Sequence, residues 1–205
     1  MASNHYATIF LDIGGVILSN GWDHQLRMKA AEDFHLDFAE MNKRHSLTFD
    51  TYEIGKISLD TYLDRVVFYT SRPFTHAEFK EFMFNQSHSY PEMHNLILEL
   101  KKWHSIRVVA VTNEGKELME DRIKKFHLKD MIDLFICSGF VGLRKPDIAI
   151  YRLALDIAQV KPQEVVYIDD RPMLAEIGSQ IGMQAIHHTS FEQTQKLLND
   201  FFQKE

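Results

Sequence analysis

Three apolar runs of this 205-residue chain each end in a short polar motif, and this pattern restricts the possible fold more than any other feature. Residues 6–11 lead into Asp12-Ile13-Gly14-Gly15-Val16, residues 107–111 into Thr112-Asn113, and residues 164–168 into Asp169-Asp170. Continuous apolar runs of this kind are typical of buried parallel strands. Because the carboxyl ends of parallel strands lie at one edge of a sheet, the three motifs are predicted to meet there.

From residue 91 onward, predicted strands and helices alternate with short connections. Strands are predicted at about 6–12, 106–111, 133–137, 164–168 and 183–187, and helices at about 91–103, 115–126, 147–159, 172–181 and 190–202. This alternation predicts an α/β fold with a Rossmann-like three-layer core, in which helices cover both faces of a central parallel sheet.

Residues 19–90 differ in character, being polar and aromatic, with helical spacing and no clear strand. They are predicted to form a small all-helical insertion after the first strand, where it can close over the carboxyl edge of the sheet. The expected domains are a core of residues 1–18 and 91–205 and an inserted cap of residues 19–90. Four aromatic residues of the insertion are expected mainly to pack its helices, with a place in a ligand pocket as the alternative: Trp22, Phe49, Tyr52 and Tyr69.

The composition argues against several classes of protein. Hydrophobic residues make up 45% and charged residues 25% of the chain, as in globular proteins with a buried core. A net charge of −6 without a run of basic residues disfavours nucleic acid as a partner. With Cys137 as the single cysteine, neither an intrachain disulfide nor a thiolate zinc site is expected. Residues 1–5 do not resemble a secretion signal, and no apolar stretch reaches the ~20 residues that span a bilayer, so a cytoplasmic location without membrane contact is expected.

The first motif places a carboxylate at a strand end, directly before two glycines. Gly14 and Gly15 allow the backbone to approach a ligand closely and leave amides that can face phosphate oxygens. An aspartate at this place can attack phosphorus and form an aspartyl phosphate. The simpler alternative for Asp12 is the capping of a turn, because Asp-x-Gly sequences are common in turns.

Asp169 and Asp170 are adjacent acids, which repel each other unless a cation offsets their charge. A hard divalent ion such as Mg²⁺ takes oxygen ligands of this kind. The alternative is a cap for the helix predicted just after them, although capping does not readily account for both acids.

Two further groups complete a set that suits phosphoryl transfer. The Thr112 hydroxyl and the amides near Asn113 can hold a phosphoryl oxygen, and the Lys145 ammonium can offset charge shared by an attacking carboxylate and a phosphate. Taken singly, a helix cap at Thr112 and a solvated side chain at Lys145 are the simpler interpretations. The order of all these motifs along one chain favours a shared site.

Together, the motifs resemble those of the haloacid dehalogenase superfamily, whose members are mostly phosphatases. The matching elements are the loop from Asp12 to Val16, Thr112, Lys145 and the pair Asp169-Asp170. The resemblance covers the expected core, and the insertion is similar to the small helical cap of that family. The Gly-Gly-Val loop and the paired acids look most like the branch that contains sugar-phosphate phosphatases, including glucose-1-phosphatases, and the phosphatase domains of epoxide hydrolases.

The resemblance implies a Mg²⁺-dependent phosphatase that acts on a small phosphorylated metabolite, with a sugar phosphate as the expected substrate class. Asp12 would be the nucleophile, and Asp170 would bind the ion directly, with Asp169 close to it or behind it. The implied roles are catalysis for Asp12, Thr112 and Lys145, substrate binding for Gly14, Gly15 and Asn113, and metal binding for Asp12, Gly14 (through its carbonyl), Asp169 and Asp170. A monomer or a homodimer is expected.

Gly14 is the main departure from the family pattern, since most of its phosphatases carry an Asp two residues after the nucleophile. That residue protonates the leaving group and later activates water, a contribution typically worth ~10²–10⁴-fold in rate. Either another group supplies the proton, with Asp23 and His24 as candidates, or the substrate has a good leaving group such as an anomeric sugar oxygen.

A non-enzymatic alternative is a protein that binds a phosphorylated metabolite or a partner with little turnover. Dehalogenation by the same carboxylate is disfavoured, because that branch of the family needs no metal, whereas Asp169-Asp170 suits one.

Overall fold

The computed structural model describes residues 6–202 and has the predicted α/β architecture. Five parallel strands form the sheet in the order β3-β2-β1-β4-β5. The strands are β1 Thr8–Leu11, β2 Arg107–Thr112, β3 Leu134–Cys137, β4 Val165–Asp169 and β5 Gln184–His187. The chain runs outward from β1 to β3 and then returns to the other side of β1, so the strand order reverses beside the central strand. The crevice at such a reversal is where open α/β sheets bind their ligands.

Four helices follow β1, which confirms the predicted all-helical cap. They are α1 His24–Asp33, α2 Phe38–Glu53, α3 Leu59–Val66 and α4 His76–Asn85. Each begins at a side-chain oxygen that accepts a hydrogen bond from an amide of the first turn, provided by Asp23, Asp37, Ser58 and Thr75 in that order. The cap has its own buried apolar cluster, built mainly from residues 22–83 and joined by Leu118. This packing agrees with a cap of residues 19–90, although those boundaries remain a prediction.

Helices cover both faces of the sheet, which confirms the predicted three-layer core. One face shares an apolar cluster with α5 Pro91–His104, α6 Lys116–Lys125 and α10 Phe191–Phe202. After the short helix α7 Ser138–Val141, α8 Ile148–Ala158 and α9 Pro172–Ile181 pack on the other face. Successive side chains of a strand point to opposite faces, so Ile9 and Leu11 of β1 belong to the first cluster and Phe10 to the second.

Glycines allow the cap to lie close to the core backbone at two places. The ring of Tyr52 in α2 packs on Gly115, where an added Cβ would lie 2.2 Å from the ring carbon Cζ. Gly55, with a φ of +70°, faces Gly139, and a Cβ on Gly55 would lie 2.4 Å from the Gly139 carbonyl oxygen. A side chain at Gly115 or Gly55 would therefore push the cap away from the core.

A buried arginine joins the two linkers that connect the cap to the core. Arg122 of α6 is 1% exposed and donates to the Ser87 hydroxyl at 3.0 Å, to Glu114 Oε2 at 3.0 Å and to the Ser19 carbonyl. The Ser19 backbone amide also donates to the His88 carbonyl at 2.9 Å. Ser19 precedes the cap helices and Ser87 follows them. Arg122 therefore holds the two linkers between cap and core together at one point.

A buried histidine lies in a hydrogen-bonded chain inside the cap. Trp22 Nε1 donates to the Tyr62 hydroxyl oxygen at 2.8 Å, and that oxygen lies 2.8 Å from His45 Nδ1. Since Trp22 is the donor to Tyr62, the hydroxyl hydrogen is free to point at His45, which then accepts as a neutral imidazole. Burial, reinforced by the charge of Arg27, lowers the pKa of His45 to about 4.

We expect the free energy of unfolding to fall as the pH is lowered from about 6.5 towards 4. In this window the unfolded chain protonates His45 and the folded chain does not, so protons favour the unfolded state. Thermal unfolding at several pH values measures the effect, and a His45→Gln variant should show a flatter dependence. A slope that this substitution leaves unchanged would contradict the prediction.

The remaining expectations about location and cysteine chemistry concern single features. Among residues 6–202, no helix has both the length and the apolar character needed to cross a bilayer. Cys137, at the end of β3, is fully buried, and burial raises the pKa of its thiol. Residues 1–5, on which the expectation about a secretion signal rests, lie outside the described residues, as do residues 203–205.

Candidate active site

The sheet brings the predicted strand-end motifs together. β1 pairs with β2 on one side and with β4 on the other, and Leu11 is level with both Ala110 and Ile168. The residues that follow Leu11 and Ile168 are Asp12 and Asp169, so these two acids lie side by side at the carboxyl edge. The register of three adjacent strands therefore builds the site, as the sequence pattern predicts.

Asp12 is a buried carboxylate at the centre of this edge. Its Oδ1 accepts a hydrogen bond from the Ile13 amide at 2.8 Å, and its Oδ2 lies 3.1 Å from Lys145 Nζ. Burial raises the pKa of Asp12 above its usual value, with a further rise from Asp169, against the opposing effects of Lys145 and of a hydrogen bond with Thr112. The carboxylate therefore depends on local positive charge to stay ionised.

Lys145 supplies part of that positive charge. It is 2% exposed, and its Nζ donates to Asp169 Oδ2 at 2.7 Å. Burial on its own would lower the pKa of Lys145, but Asp12 and Asp169 outweigh burial and raise it, so the ammonium stays charged. Asp169 also accepts from the Tyr167 hydroxyl and, at 2.9 Å, from the Arg171 amide. Both carboxylate oxygens of Asp169 are thus engaged within the protein, and Oδ2 holds Lys145 in place.

Asp12, Asp169 and Asp170 form an acidic group that fits a divalent cation. Each offers one oxygen, and these three oxygens lie within 4.8 Å of one another. Asp170 Oδ1 is buried and has no hydrogen-bond partner among the described residues. Burial, followed by the charges of Asp12 and Asp169, raises the pKa of Asp170 to about 6. A bound Mg²⁺ would offset this repulsion and satisfy the unpartnered oxygen, so the residues present fit the predicted metal site.

Gly15 makes room for Asp170. Its φ is +76°, and an added Cβ would lie 2.3 Å from Asp170 Oδ2, so a side chain there would displace the carboxylate. Gly14 lines the cavity beside Asp12. The metal contact of the Gly14 carbonyl and the substrate contacts of both glycines remain predictions.

The side chain of Asn113 is occupied within the protein. Its Nδ2 donates to the Lys145 carbonyl and its Oδ1 accepts from the Lys145 amide, both at 2.8 Å. These two hydrogen bonds of the Asn113 side chain join the end of β2 to the loop that carries Lys145. The predicted substrate contact of Asn113 would therefore come from its backbone, a point that the sequence motif does not reveal.

A cavity of about 90 Å³ opens beside Asp12, with walls from both the core and the cap. Of the four aromatic residues considered for a pocket, Trp22 and Phe49 line it, whereas Tyr52 and Tyr69 are not part of its lining. Since one water-sized group needs roughly 10–15 Å³ by this measure, the cavity suits a small ligand.

Three further carboxylates line this cavity, and the sequence patterns identify only one of them. Asp23 lines it as expected, whereas the other proposed proton donor, His24, does not. Glu53 and Glu114 also line it and were missed. Glu114 directly follows the motif Thr112-Asn113, and this position at a strand end is the sequence signal that could have identified it. Glu53 is the last residue of α2, and no sequence pattern marks it.

The sequence profile of the haloacid dehalogenase-like hydrolases matches residues 6–182, and the chain belongs to this family. The fold agrees with a HAD family enzyme from Bacteroides thetaiotaomicron, at a TM-score of 0.81 and 16% identity over 95% of this chain and 98% of that one. A structure of that enzyme in complex with magnesium and inorganic phosphate aligns with a TM-score of 0.75 and 16% identity, over 89% and 93% of the two chains. At these identities the likeness shows the fold alone.

Two curated relatives have hydrolase or phosphatase names. Flavin mononucleotide hydrolase 1 from Arabidopsis thaliana is 27% identical over 159 residues, which are 77% of this chain and 63% of that protein. A phosphoserine phosphatase from Thermus thermophilus is 28% identical over 98 residues, which are 47% of this chain and 39% of that protein. The chain thus spans less than two thirds of the length of these relatives.

Proposed function

We propose that this hydrolase is a Mg²⁺-dependent phosphatase that acts on a small phosphorylated metabolite, with a sugar phosphate as its substrate class. The observation that carries the proposal is the contact of the Asp12 carboxylate with Lys145 beside the acids Asp169 and Asp170. A nucleophilic carboxylate, a buried ammonium and oxygen ligands for a cation are the groups needed for phosphoryl transfer through an aspartyl phosphate.

The groups around Asp12 prepare it for attack on phosphorus. The hydrogen bond from the Ile13 amide holds the carboxylate in one orientation. Thr112 and the backbone of Asn113 would hold oxygens of the transferring group, and Lys145 would offset the charge that this group shares with Asp12.

Asp12, Asp170 and the Gly14 carbonyl would hold the metal ion. When bound, Mg²⁺ would supply positive charge to the oxygens of the phosphoryl group and to the Asp12 carboxylate. Asp169 would support the metal site indirectly, because its oxygens accept hydrogen bonds from Lys145 and the Arg171 amide.

The lining of the cavity supports a small sugar phosphate as substrate. Trp22 and Phe49 offer ring surfaces on which the C–H faces of a sugar can pack. The carboxylates of Asp23 and Glu53 can accept hydrogen bonds from sugar hydroxyls. We also propose that the chain lies near the sugar-phosphate phosphatase branch, with residues 19–90 as the cap that selects the substrate and residues 1–18 and 91–205 as the core.

We expect at least one sugar phosphate to release inorganic phosphate when a substrate panel is assayed with Mg²⁺. The panel contains sugar 1-phosphates and 6-phosphates, flavin mononucleotide and other nucleotides, phosphoserine, and 2-haloacids as dehalogenase substrates. Removal of Mg²⁺ by a chelator should stop the release, because the acidic group then lacks its cation. Absence of phosphate release from every member, with Mg²⁺ binding shown by calorimetry, would contradict the proposal, and halide release would indicate dehalogenation.

Gly14 favours one alternative, a protein that binds phosphorylated metabolites or a partner with little turnover. In that case sugar phosphates would bind in calorimetry without releasing phosphate. A monomer or homodimer and a cytoplasmic location remain predictions, the first of which light scattering would test.

A further inference from the structure

The site lacks a carboxylate at position 14, yet three acidic residues besides Asp12 and Asp170 line the cavity. Asp23 accepts a hydrogen bond from the Leu26 amide at 2.9 Å and so begins α1. Glu53 lies 2.8 Å from Arg144 Nε. The third is Glu114, and its surroundings differ from those of the other two.

Glu114 and Gly14 line the same cavity beside Asp12. A Cβ added to Gly14 would lie 3.1 Å from Asn20 Oδ1, so a side chain there points towards residue 20. The next residue is Gly21, and a Cβ added to it would lie 2.5 Å from Glu114 Oε2. The missing side chain of Gly21 thus makes the space that Glu114 fills.

The protein holds Glu114 firmly in this position. Its backbone amide donates to the Ser138 hydroxyl at 2.9 Å, and its backbone carbonyl accepts from the Gly139 amide at 3.1 Å. Arg122 contacts Oε2 of the side chain at 3.0 Å. A hydrogen bond from the Gly115 backbone also reaches the Glu114 carboxylate.

We infer that Glu114 is the proton donor and acceptor that replaces the acid missing at Gly14, an inference that rests on the proposed phosphatase function. The residue follows Thr112 and Asn113 directly, so the end of β2 would supply both phosphate contacts and the proton.

The charges that face Glu114 suit this role. Burial, together with the charges of Glu53 and Asp12, raises the pKa of Glu114 to about 7 against the opposing effects of Arg122 and of a hydrogen bond from the Gly115 backbone. Burial also raises the pKa of Glu53, against the opposing charges of Arg144, Arg171 and Lys145. A general acid works best when its pKa lies near the working pH.

The proposed steps conserve atoms and charge. An oxygen of Asp12 forms a bond to phosphorus while the bond from phosphorus to the leaving oxygen breaks, and the Glu114 carboxyl gives its proton to that oxygen. The product leaves as a neutral alcohol. The Glu114 carboxylate then takes a proton from water as the water oxygen attacks phosphorus, the Asp12–phosphorus bond breaks, and inorganic phosphate leaves.

The test compares Glu114→Gln with the unaltered protein on two substrates in the presence of Mg²⁺. An alkyl phosphate needs protonation of its leaving group, whereas p-nitrophenyl phosphate does not. Because hydrolysis of the aspartyl phosphate is common to both substrates, the measured quantity is kcat/KM, which reports the transfer to Asp12. We expect kcat/KM for the alkyl phosphate to fall by about 10²–10⁴-fold, with little change in kcat/KM for p-nitrophenyl phosphate. Equal losses of kcat/KM on both substrates would overturn the inference, since a structural role for the Glu114–Arg122 pair predicts that result.

A variant at position 14 gives a second test. Adding Gly14→Asp to Glu114→Gln should restore part of the lost alkyl phosphate turnover, because the added Cβ meets only the movable Asn20 side chain within 3.4 Å. Glu120→Gln, at an exposed residue of α6 that does not line this cavity, is the matched control and should leave the ratio of the two activities unchanged. A change of that ratio by Glu53→Gln rather than by Glu114→Gln would assign the proton to Glu53 and overturn the inference.

The pH dependence of the unaltered protein provides a measurement that needs no variant. We expect kcat/KM for the alkyl phosphate to fall above a pH of about 7, with no such fall for p-nitrophenyl phosphate. Identical pH profiles for the two substrates would overturn the role of Glu114 without contradicting the proposed phosphatase function. Absence of turnover on both substrates would instead overturn the proposed function, and the inference with it.

Discussion

An Asp12→Asn variant is expected to lose phosphatase turnover by roughly 10⁴- to 10⁶-fold, as enzymes do when the nucleophile is removed. The amide side chain has nearly the same shape and keeps an oxygen that can accept from the Ile13 amide. It lacks the negatively charged oxygen with which a carboxylate would attack phosphorus. Phosphate release over long incubations measures the loss, and circular dichroism confirms that the variant is folded.

Beryllium fluoride provides an independent readout for this variant. We expect the unaltered protein, with Mg²⁺, to form an adduct at the Asp12 carboxylate that fluorine NMR detects, and Asp12→Asn to form none. Asp64→Asn is the matched control, because Asp64 carries the same carboxylate on the exposed surface of the cap, where it pairs with His76. An adduct or turnover that survives Asp12→Asn would contradict the role of Asp12 as the nucleophile.

A Lys145→Met variant is expected to lose both stability and activity. Lys145 is enclosed between Asp12 and Asp169, so its removal leaves two buried carboxylates without their partner. Breaking a buried ion pair in this way costs about 3–5 kcal/mol of unfolding free energy. The loss of positive charge near the phosphoryl group should also lower kcat by roughly 10²–10³-fold. Denaturant unfolding and phosphate release measure the two effects.

The double variant Lys145→Met with Asp169→Asn separates charge from packing. Asp169 is fully buried and is held by Lys145 and Tyr167, so neutralising it removes one of the two unpaired charges. The double variant should therefore be more stable than Lys145→Met alone, although it stays inactive. A double variant of equal or lower stability would show that lost packing, rather than unpaired charge, causes the damage.

The fold was predictable because its main signals are local. Apolar runs define the strands, and the alternation with helical segments defines a parallel sheet. The helix α9, Pro172–Ile181, lies at the predicted residues, and other boundaries of the core differ by one or two residues. β1 and β4 are adjacent parallel strands, and their carboxyl ends lie at the same edge of the sheet. Asp12 and Asp169 lie side by side because each is placed at the end of its strand.

The parts of the site that sequence reasoning missed depend on contacts between distant segments. Asn113 bonds to a loop 32 residues away, and nothing in the Thr-Asn motif distinguishes this from a ligand contact. Glu53 reaches the cavity because the cap docks on the core, as the packing of Tyr52 on Gly115 shows. Arg122, which contacts Glu114, also bonds to Ser19 and Ser87 of the two linkers, which are far apart in sequence. Patterns along the chain do not encode these distances.

The bond between the Asn113 side chain and the Lys145 backbone has a consequence for product inhibition. It joins the end of β2 to the lysine loop through bonds that involve no residue of the cap. Free phosphate released by the reaction should therefore compete with substrate equally well whether the cap wall is intact or altered. Substitution of Trp22 or Phe49 would change the substrate preference, and inhibition by inorganic phosphate would stay the same.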